Sequence, residues 1–349
     1  MKAIVIREFG PPEVLRYEEV PDPTPAPGEV LIAVHATTIN RVLDCGVRAG
    51  TQHHRGIVLP LIPGVDATGT VRALGPGVSG FRIGEHVATA GTMPLHTCAD
   101  CPGRAGKDCG DMGMMGVRRP GGDADLVAVP ACWVSRIPDG VSFADAAVAM
   151  RHVPTAWNLL INLGKAKASD WVLIMGAAGN LGSIGIQIAK NIVGARVICA
   201  AGSDDRVAIG LSLGADHGIN YNTHDLEAEV RRITGGRGVD LLYDNIANPA
   251  TLSKAIDSVA RDGRVVTAGA HGGPVVPVNF FHVYDRRLTI MGQPGARRED
   301  IPDCFAAVAK GQIKVRYERI LPLSQAADAH RMTETNPGSG KIILDPTLG

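Results

Sequence analysis

The stretch that decides the fold runs Trp171-Val-Leu-Ile-Met175, then Gly176-Ala-Ala-Gly179-Asn-Leu-Gly182 and, after a helical pattern, Arg196-Val-Ile-Cys-Ala200. The first and third segments are unbroken apolar runs, which is typical of strands buried on both faces of a parallel sheet. Between them, aliphatic residues recur at helical spacing: Leu181, Ile184, Ile188 and Ile192. The stretch is therefore predicted to form a strand–helix–strand unit of about 30 residues.

The glycine turn inside this unit predicts a dinucleotide site. Gly176 allows a tight turn, Gly179 lets the backbone approach a ligand, and Gly182 lets the helix pack close to the sheet. The helix that follows directs unpaired N–H groups and the positive end of its dipole at the turn, where a pyrophosphate binds. The predicted cofactor-binding residues of the turn are Gly176, Ala177, Ala178, Gly179, Asn180, Leu181 and Gly182. The alternative is an ordinary strand–helix turn built from small residues.

The composition indicates a soluble globular protein. The chain has 349 residues, of which 45% are hydrophobic, and this length favours two domains over one core. Lys+Arg and Asp+Glu are equal at 35 each, so neither nucleic acid nor a membrane surface is favoured as a partner. No apolar run is long enough to cross a bilayer, and Met1-Lys-Ala-Ile-Val-Ile6 does not begin a signal peptide. Seven cysteines without an export signal predict reduced thiols or metal ligands and a cytoplasmic location.

Strand and helix patterns divide the chain into a mainly β part and an α/β part. Residues 1–90 read as short strands between Pro and Gly turns, the pattern of a partly open barrel. From Ser142, predicted to cap a helix together with Asp145, strands and helices alternate, and Pro154 is expected to divide the first helical region. The strands predicted for a doubly wound parallel sheet are Trp171–Met175, Arg196–Ala200, Val239–Asp244, Arg264–Ala268 and Arg287–Met291.

The last strand pattern, Gly340-Lys-Ile-Ile-Leu344, has no partner after it and is expected to return to the first domain. The predicted domains are therefore a mainly β domain made of 1–140 with 292–349, and a Rossmann dinucleotide-binding domain, 141–291, inserted between its two pieces.

Short segments spread along nearly the full chain carry a family resemblance: Lys2-Ala-Ile4, Pro27-Gly-Glu-Val-Leu-Ile32, Gly64-Val-Asp-Ala-Thr-Gly69, Gly75-Pro-Gly-Val78, Gly84-Glu-His-Val87, Gly176–Gly182, Leu213-Gly-Ala-Asp216 and Gly235-Gly-Arg-Gly-Val-Asp240. In this order they resemble the medium-chain dehydrogenase/reductase superfamily. The resemblance implies a GroES-like catalytic domain, a Rossmann domain, a nicotinamide cofactor in the cleft, hydride transfer to a small-molecule substrate, and a homodimer.

The zinc-using members of this superfamily hold the catalytic ion with Cys, His and Cys. The matching positions here are Arg41 (or Val42, if the loop is one residue longer), Val65 and Arg151. Valine has no lone pair and arginine stays protonated, so no catalytic zinc is expected, and nearby Cys45 cannot restore the site alone. The chain therefore resembles the zinc-independent quinone oxidoreductase-like branch.

A second metal question concerns Cys98, Cys101 and Cys109, which resemble the superfamily's structural zinc lobe with one cysteine lost. Three thiolates hold zinc only with a fourth ligand, for which the candidates are His96, Asp100 and Asp108. The alternative is a relic loop with free thiols.

The choice between NADP and NAD is made just beyond the second strand, where an acid would bind a ribose 2′-hydroxyl and repel a 2′-phosphate. The strand ends at Gly202 and Ser203 without an acid, Arg206 matches a basic position of NADPH-using relatives, and Tyr221 is expected to stack nearby. We therefore predict NADPH, with NADH as the alternative because Asp204 and Asp205 follow. Further cofactor contacts are predicted at the ends of later strands: Asn245, Gly269 and Ala270.

Without a metal, another group must stabilise negative charge on the substrate oxygen. The candidates are Arg41, Arg151 and His152, and the alternative is that the arginines pair with Asp44 or Asp66 as scaffold. The resulting hypothesis is an NADPH-dependent, zinc-free reductase of an activated C=C or C=O bond in a quinone, enone or aldehyde. The alternatives are a metal-free alcohol/aldehyde dehydrogenase and a non-catalytic NADPH-binding sensor.

Overall fold

The computed structural model describes residues 1–94, 112–269, 272–273, 275–293, 295–335 and 340–348. Its strands are β1 (Lys2–Ile6), β2 (Leu15–Glu19), β3 (Glu29–Thr38), β4 (Asp66–Leu74), β5 (His86–Ala90), β6 (Thr92–Pro94), β7 (Met112–Met114), β8 (Leu126–Pro130), β9 (Ser135–Arg136), β10 (Trp171–Met175), β11 (Arg196–Ala201), β12 (His217–Asn220), β13 (Val239–Asp244), β14 (Val259–Thr267), β15 (Thr289–Gly292), β16 (Tyr317–Pro322) and β17 (Lys341–Asp345). Its α-helices are α1 (Asp44–Ala49), α2 (Phe143–Trp157), α3 (Asn180–Gln187), α4 (Asp204–Ser212), α5 (Leu226–Ile233), α6 (Pro249–Asp257), α7 (Phe280–Asp285), α8 (Ile301–Ala309) and α9 (Ala326–Thr335). Among the helices so described, none has the length and apolarity to span a lipid bilayer.

Two compact units are formed, one by Met1–Arg151 with Arg316–Gly349 and the other by His152–Val315. These limits lie later in the chain than the predicted boundaries at 140/141 and 291/292. The start of α2 belongs to the first unit, where the Thr68 hydroxyl donates to the Phe143 carbonyl at 2.9 Å. The segment after β15 stays with the second unit, where the Lys314 N–H donates to Gln187 Oε1 at 2.8 Å.

The first unit is mainly β. Its largest sheet has the order β16-β17-β3-β4-β5-β9, and β8 also pairs with β3. The last strand of the chain, β17, runs antiparallel to β3 with Ile343 opposite Thr38. Buried aliphatic side chains form one core cluster of this unit, which includes Ile4, Ile6, Ile39, Val65 and Leu344. A second cluster contains Val30, Ile32, Val71, Val87 and Val127.

The second unit contains the predicted parallel sheet, in the order β12-β11-β10-β13-β14-β15 with every pairing parallel. It has six strands where five were predicted. The missed strand is β12. Its sequence His217-Gly-Ile-Asn220 contains no apolar run, because this edge strand buries only Ile219 and Asn220. The direction of the strand order reverses between β10 and β13, which makes this point the place where ligands of such sheets bind.

The predictions for α2 were half right. The Asp145 N–H donates to the Ser142 hydroxyl at 3.0 Å, so the predicted cap is confirmed. The predicted break at Pro154 is wrong, because α2 runs through this proline to Trp157 and continues as a π-helical turn over Asn158–Leu163. The neighbours Val153 and Ala156 are fully buried, so packing outweighs the loss of one helical hydrogen bond.

Candidate cofactor and active site

The glycine turn between β10 and α3 has the geometry of a pyrophosphate cradle. Gly176 has a φ of +73°, a conformation that favours glycine. A Cβ on Gly182 would lie 2.1 Å from the Gly176 carbonyl oxygen, so only glycine fits where the helix passes the turn. Gly179 caps α3, and no side chain occupies the capping position. The first-turn N–H groups of α3 are thus left to bind an anion from outside the helix.

The end of β13 lies beside this turn. Asn245 is buried, and its Nδ2 lies 3.4 Å from the Met175 carbonyl oxygen at the end of β10. Gly269 follows β14 and accepts a hydrogen bond from the Thr267 hydroxyl at 3.2 Å. The structure therefore brings these predicted cofactor residues to one edge of the sheet, where the strand order reverses. Ala270 lies outside the described residues.

The end of β11 carries the groups predicted to choose between the two nicotinamide cofactors. A Cβ on Gly202 would lie 3.2 Å from the Tyr221 hydroxyl, so the tyrosine packs directly over this glycine. Burial raises the pKa of Tyr221, and the positive charge of Arg206 opposes that shift. Ser203 precedes α4, and its side chain makes no capping hydrogen bond. Asp204 and Asp205 form the first turn of α4.

The first unit holds a buried ionic cluster around Asp66. The Arg151 Nε donates to Asp66 Oδ2 at 2.9 Å, and its Nη2 donates to the Val65 carbonyl at 2.6 Å. Asp66 is completely buried and also accepts from the Thr38 N–H at 3.1 Å and from Asn40 Nδ2 at 3.3 Å. Arg151 is therefore held by the scaffold acid that the sequence offered as the alternative partner.

The other predicted catalytic side chains are placed differently. Arg41 is exposed, and its alternative at the first ligand position, Val42, is 41% exposed. His152 is buried and belongs to the second unit. Asp44, the other acid offered as a partner for the arginines, accepts from the Asn40 N–H at 2.7 Å. The catalytic roles of Arg41, Arg151 and His152 stay predictions.

Sequence reasoning missed Lys341 as a member of the ionic cluster. This lysine is buried in β17, and its ammonium donates to the Ile39 carbonyl at 3.2 Å and to Asn40 Oδ1. Burial lowers the pKa of Lys341 to about 8, against the charges of Asp66 and Asp44. Burial and the charge of Asp66 also raise the pKa of Asp44 to about 6. The available signal was a single charge inside an otherwise apolar strand.

The residues present do not fit a catalytic zinc ion. Val65 is fully buried and has no donor atom, and Arg151 is committed to Asp66 and to a backbone carbonyl. Burial raises the pKa of Cys45 to about 12, which disfavours the thiolate form that binds metals. Over the described ranges, no three His, Cys, Asp or Glu residues converge as a metal site.

The cysteines Cys98, Cys101 and Cys109 and the candidate fourth ligands His96, Asp100 and Asp108 all lie outside the described residues.

Comparison with known proteins finds a matching family model in each of the two units. Residues 26–139 match the family model of the alcohol dehydrogenase GroES-like domain, and residues 181–310 match that of the zinc-binding dehydrogenases. The chain is 31% identical to an NAD-dependent alcohol dehydrogenase of Sulfolobus acidocaldarius, covering 99% of this chain and 100% of the relative. It is 30% identical to a 2-haloacrylate reductase of a Burkholderia species, with 99% and 98% covered, and 28% identical to the quinone oxidoreductase of Homo sapiens, with 99% and 97% covered.

Solved structures show the same similarity in three dimensions. An NAD-dependent alcohol dehydrogenase is 34% identical with a TM-score of 0.88, covering 99% of both chains. A mycobacterial protein in complex with NADPH is 28% identical with a TM-score of 0.78, covering 99% of this chain and 100% of that one.

The fold, with the glycine turn at the carboxyl edge of its parallel sheet, and the similar proteins define a nicotinamide-dependent oxidoreductase. The chain belongs to the medium-chain dehydrogenase/reductase superfamily, and the predicted fold class, a GroES-like mainly β domain with a Rossmann-type parallel sheet, is confirmed.

Proposed function

We propose that this enzyme uses NADPH to deliver hydride to an activated C=C or C=O bond, as found in quinones, enones and aldehydes, and that it works without a catalytic zinc ion. The observation that carries the proposal is the end of β11, where Ala201, Gly202 and Ser203 carry no acid and are followed by Arg206 in α4. A guanidinium and a hydroxyl are donors that a 2′-phosphate needs, whereas an acid at this place selects a free ribose. The NADPH complex of the mycobacterial neighbour supports this choice.

When bound, the reduced nicotinamide supplies the hydride. The chain supplies binding and orientation: the first turn of α3 holds the pyrophosphate, Ser203 and Arg206 hold the 2′-phosphate, and Asn245 contacts the nicotinamide half. Negative charge that develops on the substrate oxygen needs a nearby positive group or hydrogen-bond donor. Arg41, Arg151 and His152 are the proposed sources, with Arg151 fixed in direction by its bond to Asp66.

The substrate class follows from two lines of support. The residues at two of the metal-ligand positions, Val65 and Arg151, cannot polarise an alcohol oxygen as a metal ion does, which favours acceptors that are already electron-poor. The names of two relatives, a 2-haloacrylate reductase and a quinone oxidoreductase, point to acceptors of this kind.

The direct test measures oxidation of NADPH and of NADH by the purified protein, with a 1,4-quinone, a 2-haloacrylate, an enone and an aldehyde as acceptors. The proposal predicts saturable oxidation by at least one electron-poor acceptor, with a higher kcat/KM for NADPH than for NADH. Equal or better use of NADH would overturn the cofactor assignment. Tight NADPH binding with no turnover of any acceptor would favour the sensor instead.

A metal-free alcohol/aldehyde dehydrogenase is the second candidate, because an alcohol dehydrogenase is 31% identical over almost the whole chain. With an enone as the acceptor, the proposed reductase places the hydride on the carbon β to the carbonyl, whereas an alcohol/aldehyde dehydrogenase places it on the carbonyl carbon. Reduction of an enone to a saturated ketone supports the proposed function, whereas an allylic alcohol as the product supports the second candidate.

We further propose that the enzyme is a cytoplasmic homodimer. The strand β15 lies at the edge of the described sheet, and the neighbouring helix α7 exposes Phe280, Phe281 and Tyr284 by 77%, 63% and 73%. An apolar cluster beside an open sheet edge is a surface that a second copy can cover symmetrically. Phe281→Glu should convert the dimer to a monomer in light scattering. Free thiols at Cys45, Cys199 and Cys304 support a reducing compartment.

A further inference from the structure

We propose that Asn220 sets the cofactor preference by holding the carboxylate of Asp204 away from the ribose 2′ position. The inference rests on the proposed use of NADPH and adds a residue outside the predicted binding set. Asn220 is a positioning residue, because it acts on the cofactor through Asp204.

Asn220 lies where such control is effective. It is the last residue of β12 and stands opposite Ala201, the last residue of β11, at the carboxyl edge of the sheet. The residue is buried, with 8% of its surface exposed. The amide Nδ2 donates to Asp204 Oδ1 at 2.8 Å, and the amide Oδ1 accepts from the Asn222 N–H at 3.1 Å. A carboxylate can only accept and an N–H can only donate, so these two bonds fix the orientation of the amide.

The restraint matters because of where Asp204 stands. It follows Ser203 directly and is the first residue of α4, with an exposed carboxylate. An acid just beyond the second strand of such a sheet binds the 2′-hydroxyl of NAD and repels the 2′-phosphate of NADP. Tied to Asn220, the carboxylate stays on the β12 side, where it also faces the positive end of the α4 dipole. Released, it can turn toward Ser203.

The neighbours Asn222 and Tyr221 make other contacts at this edge of the sheet, so the hydrogen bond that restrains Asp204 comes from Asn220. The Asn222 amide is used elsewhere, since its Nδ2 donates to the Gly202 carbonyl at 2.7 Å. Tyr221 packs on Gly202, and the positive charge of Arg206 opposes the rise in the pKa of Tyr221 that burial causes. Loss of the Asn220 amide therefore frees the acid while the groups assigned to the phosphate remain in the chain. Repulsion between one carboxylate and a phosphate dianion near the surface weakens binding by about tenfold.

The test uses the full chain and three variants: Asn220→Ala, Asp204→Asn and the double variant. Calorimetric titration gives the Kd of NADPH and NADH, and of the fragments adenosine 2′,5′-bisphosphate and 5′-AMP, which need no turnover. Asn220→Ala should weaken NADPH and the bisphosphate by about tenfold while NADH and 5′-AMP bind as before or tighter. The double variant should recover the NADPH affinity, because its residue 204 carries no charge.

A merely structural role for Asn220 predicts different results. Equal weakening of all four ligands, or a double variant that binds NADPH no better than Asn220→Ala, would overturn the inference. Wild-type protein that prefers NADPH together with an unchanged ratio in Asn220→Ala would also overturn it and leave the proposed function intact. Wild-type protein that prefers NADH, or binds neither nucleotide, would overturn both.

Discussion

Replacement of Arg151 by methionine tests whether this arginine serves the scaffold. Methionine keeps much of the length of the side chain but removes the charge and the hydrogen bonds donated to Asp66 and to the Val65 carbonyl. The expected result is a clear loss of stability in the first unit, because Asp66 is left as a buried negative charge without its ion-pair partner.

The size of the loss follows from what remains around Asp66. Removing one partner of a buried ion pair costs about 3–5 kcal/mol. The carboxylate keeps hydrogen bonds from the Thr38 N–H, the Thr38 hydroxyl and Asn40 Nδ2, and it keeps the charge of Lys341 in the same cluster. These offset part of that loss, so we expect about 3 kcal/mol. In a unit of this size that corresponds to a melting temperature lower by about 6–12 °C.

Scanning calorimetry of the full chain measures this shift, and two further variants control it. Arg7→Met removes an exposed ion pair of the same unit, with Glu18, and should leave the melting temperature almost unchanged. The double variant Arg151→Met/Asp66→Asn should recover most of the loss, because the stranded charge is gone. A melting temperature unchanged in Arg151→Met would refute the scaffold assignment. Unchanged kcat below the melting transition would remove Arg151 from the proposed catalytic groups.

The remaining predictions concern the cofactor turn, a buried histidine and the cysteine loop. Gly182→Val would place a side chain 2.1 Å from the Gly176 carbonyl oxygen and should abolish NADPH binding in a fluorescence titration, whereas Gly295→Ala, which meets no atom within 4 Å, should not. Burial lowers the pKa of His330 from 6.5 to about 3. Below pH 6.5, His330 therefore takes up a proton in the unfolded chain but stays neutral in the folded chain. The free energy of unfolding falls by up to about 1.4 kcal/mol per pH unit toward pH 3. His330→Leu should reduce this acid sensitivity in urea titrations at pH 5 and 7, and an unchanged pH slope would contradict the cause given. If the cysteine loop holds structural zinc, the purified protein contains stoichiometric zinc by elemental analysis and Cys101→Ser loses it; equal zinc in both would rule out that ligand.

The parallel sheet and the cofactor turn were predictable because their signals are local. An apolar run followed by Gly176 and ending in a helix with Gly182 can form few other structures, and the structure shows the close contact that makes Gly182 necessary. The strand β12 escaped prediction because an edge strand of four residues needs no apolar run. Pro154 failed as a helix breaker because burial of its neighbours outweighs one lost hydrogen bond.

The polar interactions were less predictable because they join residues far apart in the chain. Asp66 and Arg151 are 85 residues apart, and Lys341 reaches Asn40 across 301 residues. The sequence offered Asp66 as a partner for Arg151 only as an alternative, since nothing in local spacing decides between an ion pair and a substrate contact. Lys341 and Asn220 gave no motif at all. Their roles appear only when the strands β17 and β12 are placed beside their neighbours.

The central claim is hydride transfer from NADPH without a catalytic metal, and deuterium transfer tests it most directly. The enzyme is incubated with NADPH deuterated at the transferable position of nicotinamide C4 and an enone, in the presence of a zinc chelator, and the product is examined by mass spectrometry and NMR. The account predicts a saturated ketone with deuterium on the carbon β to the carbonyl. A product without deuterium, or a reaction that stops with the chelator and resumes with added zinc, would contradict it.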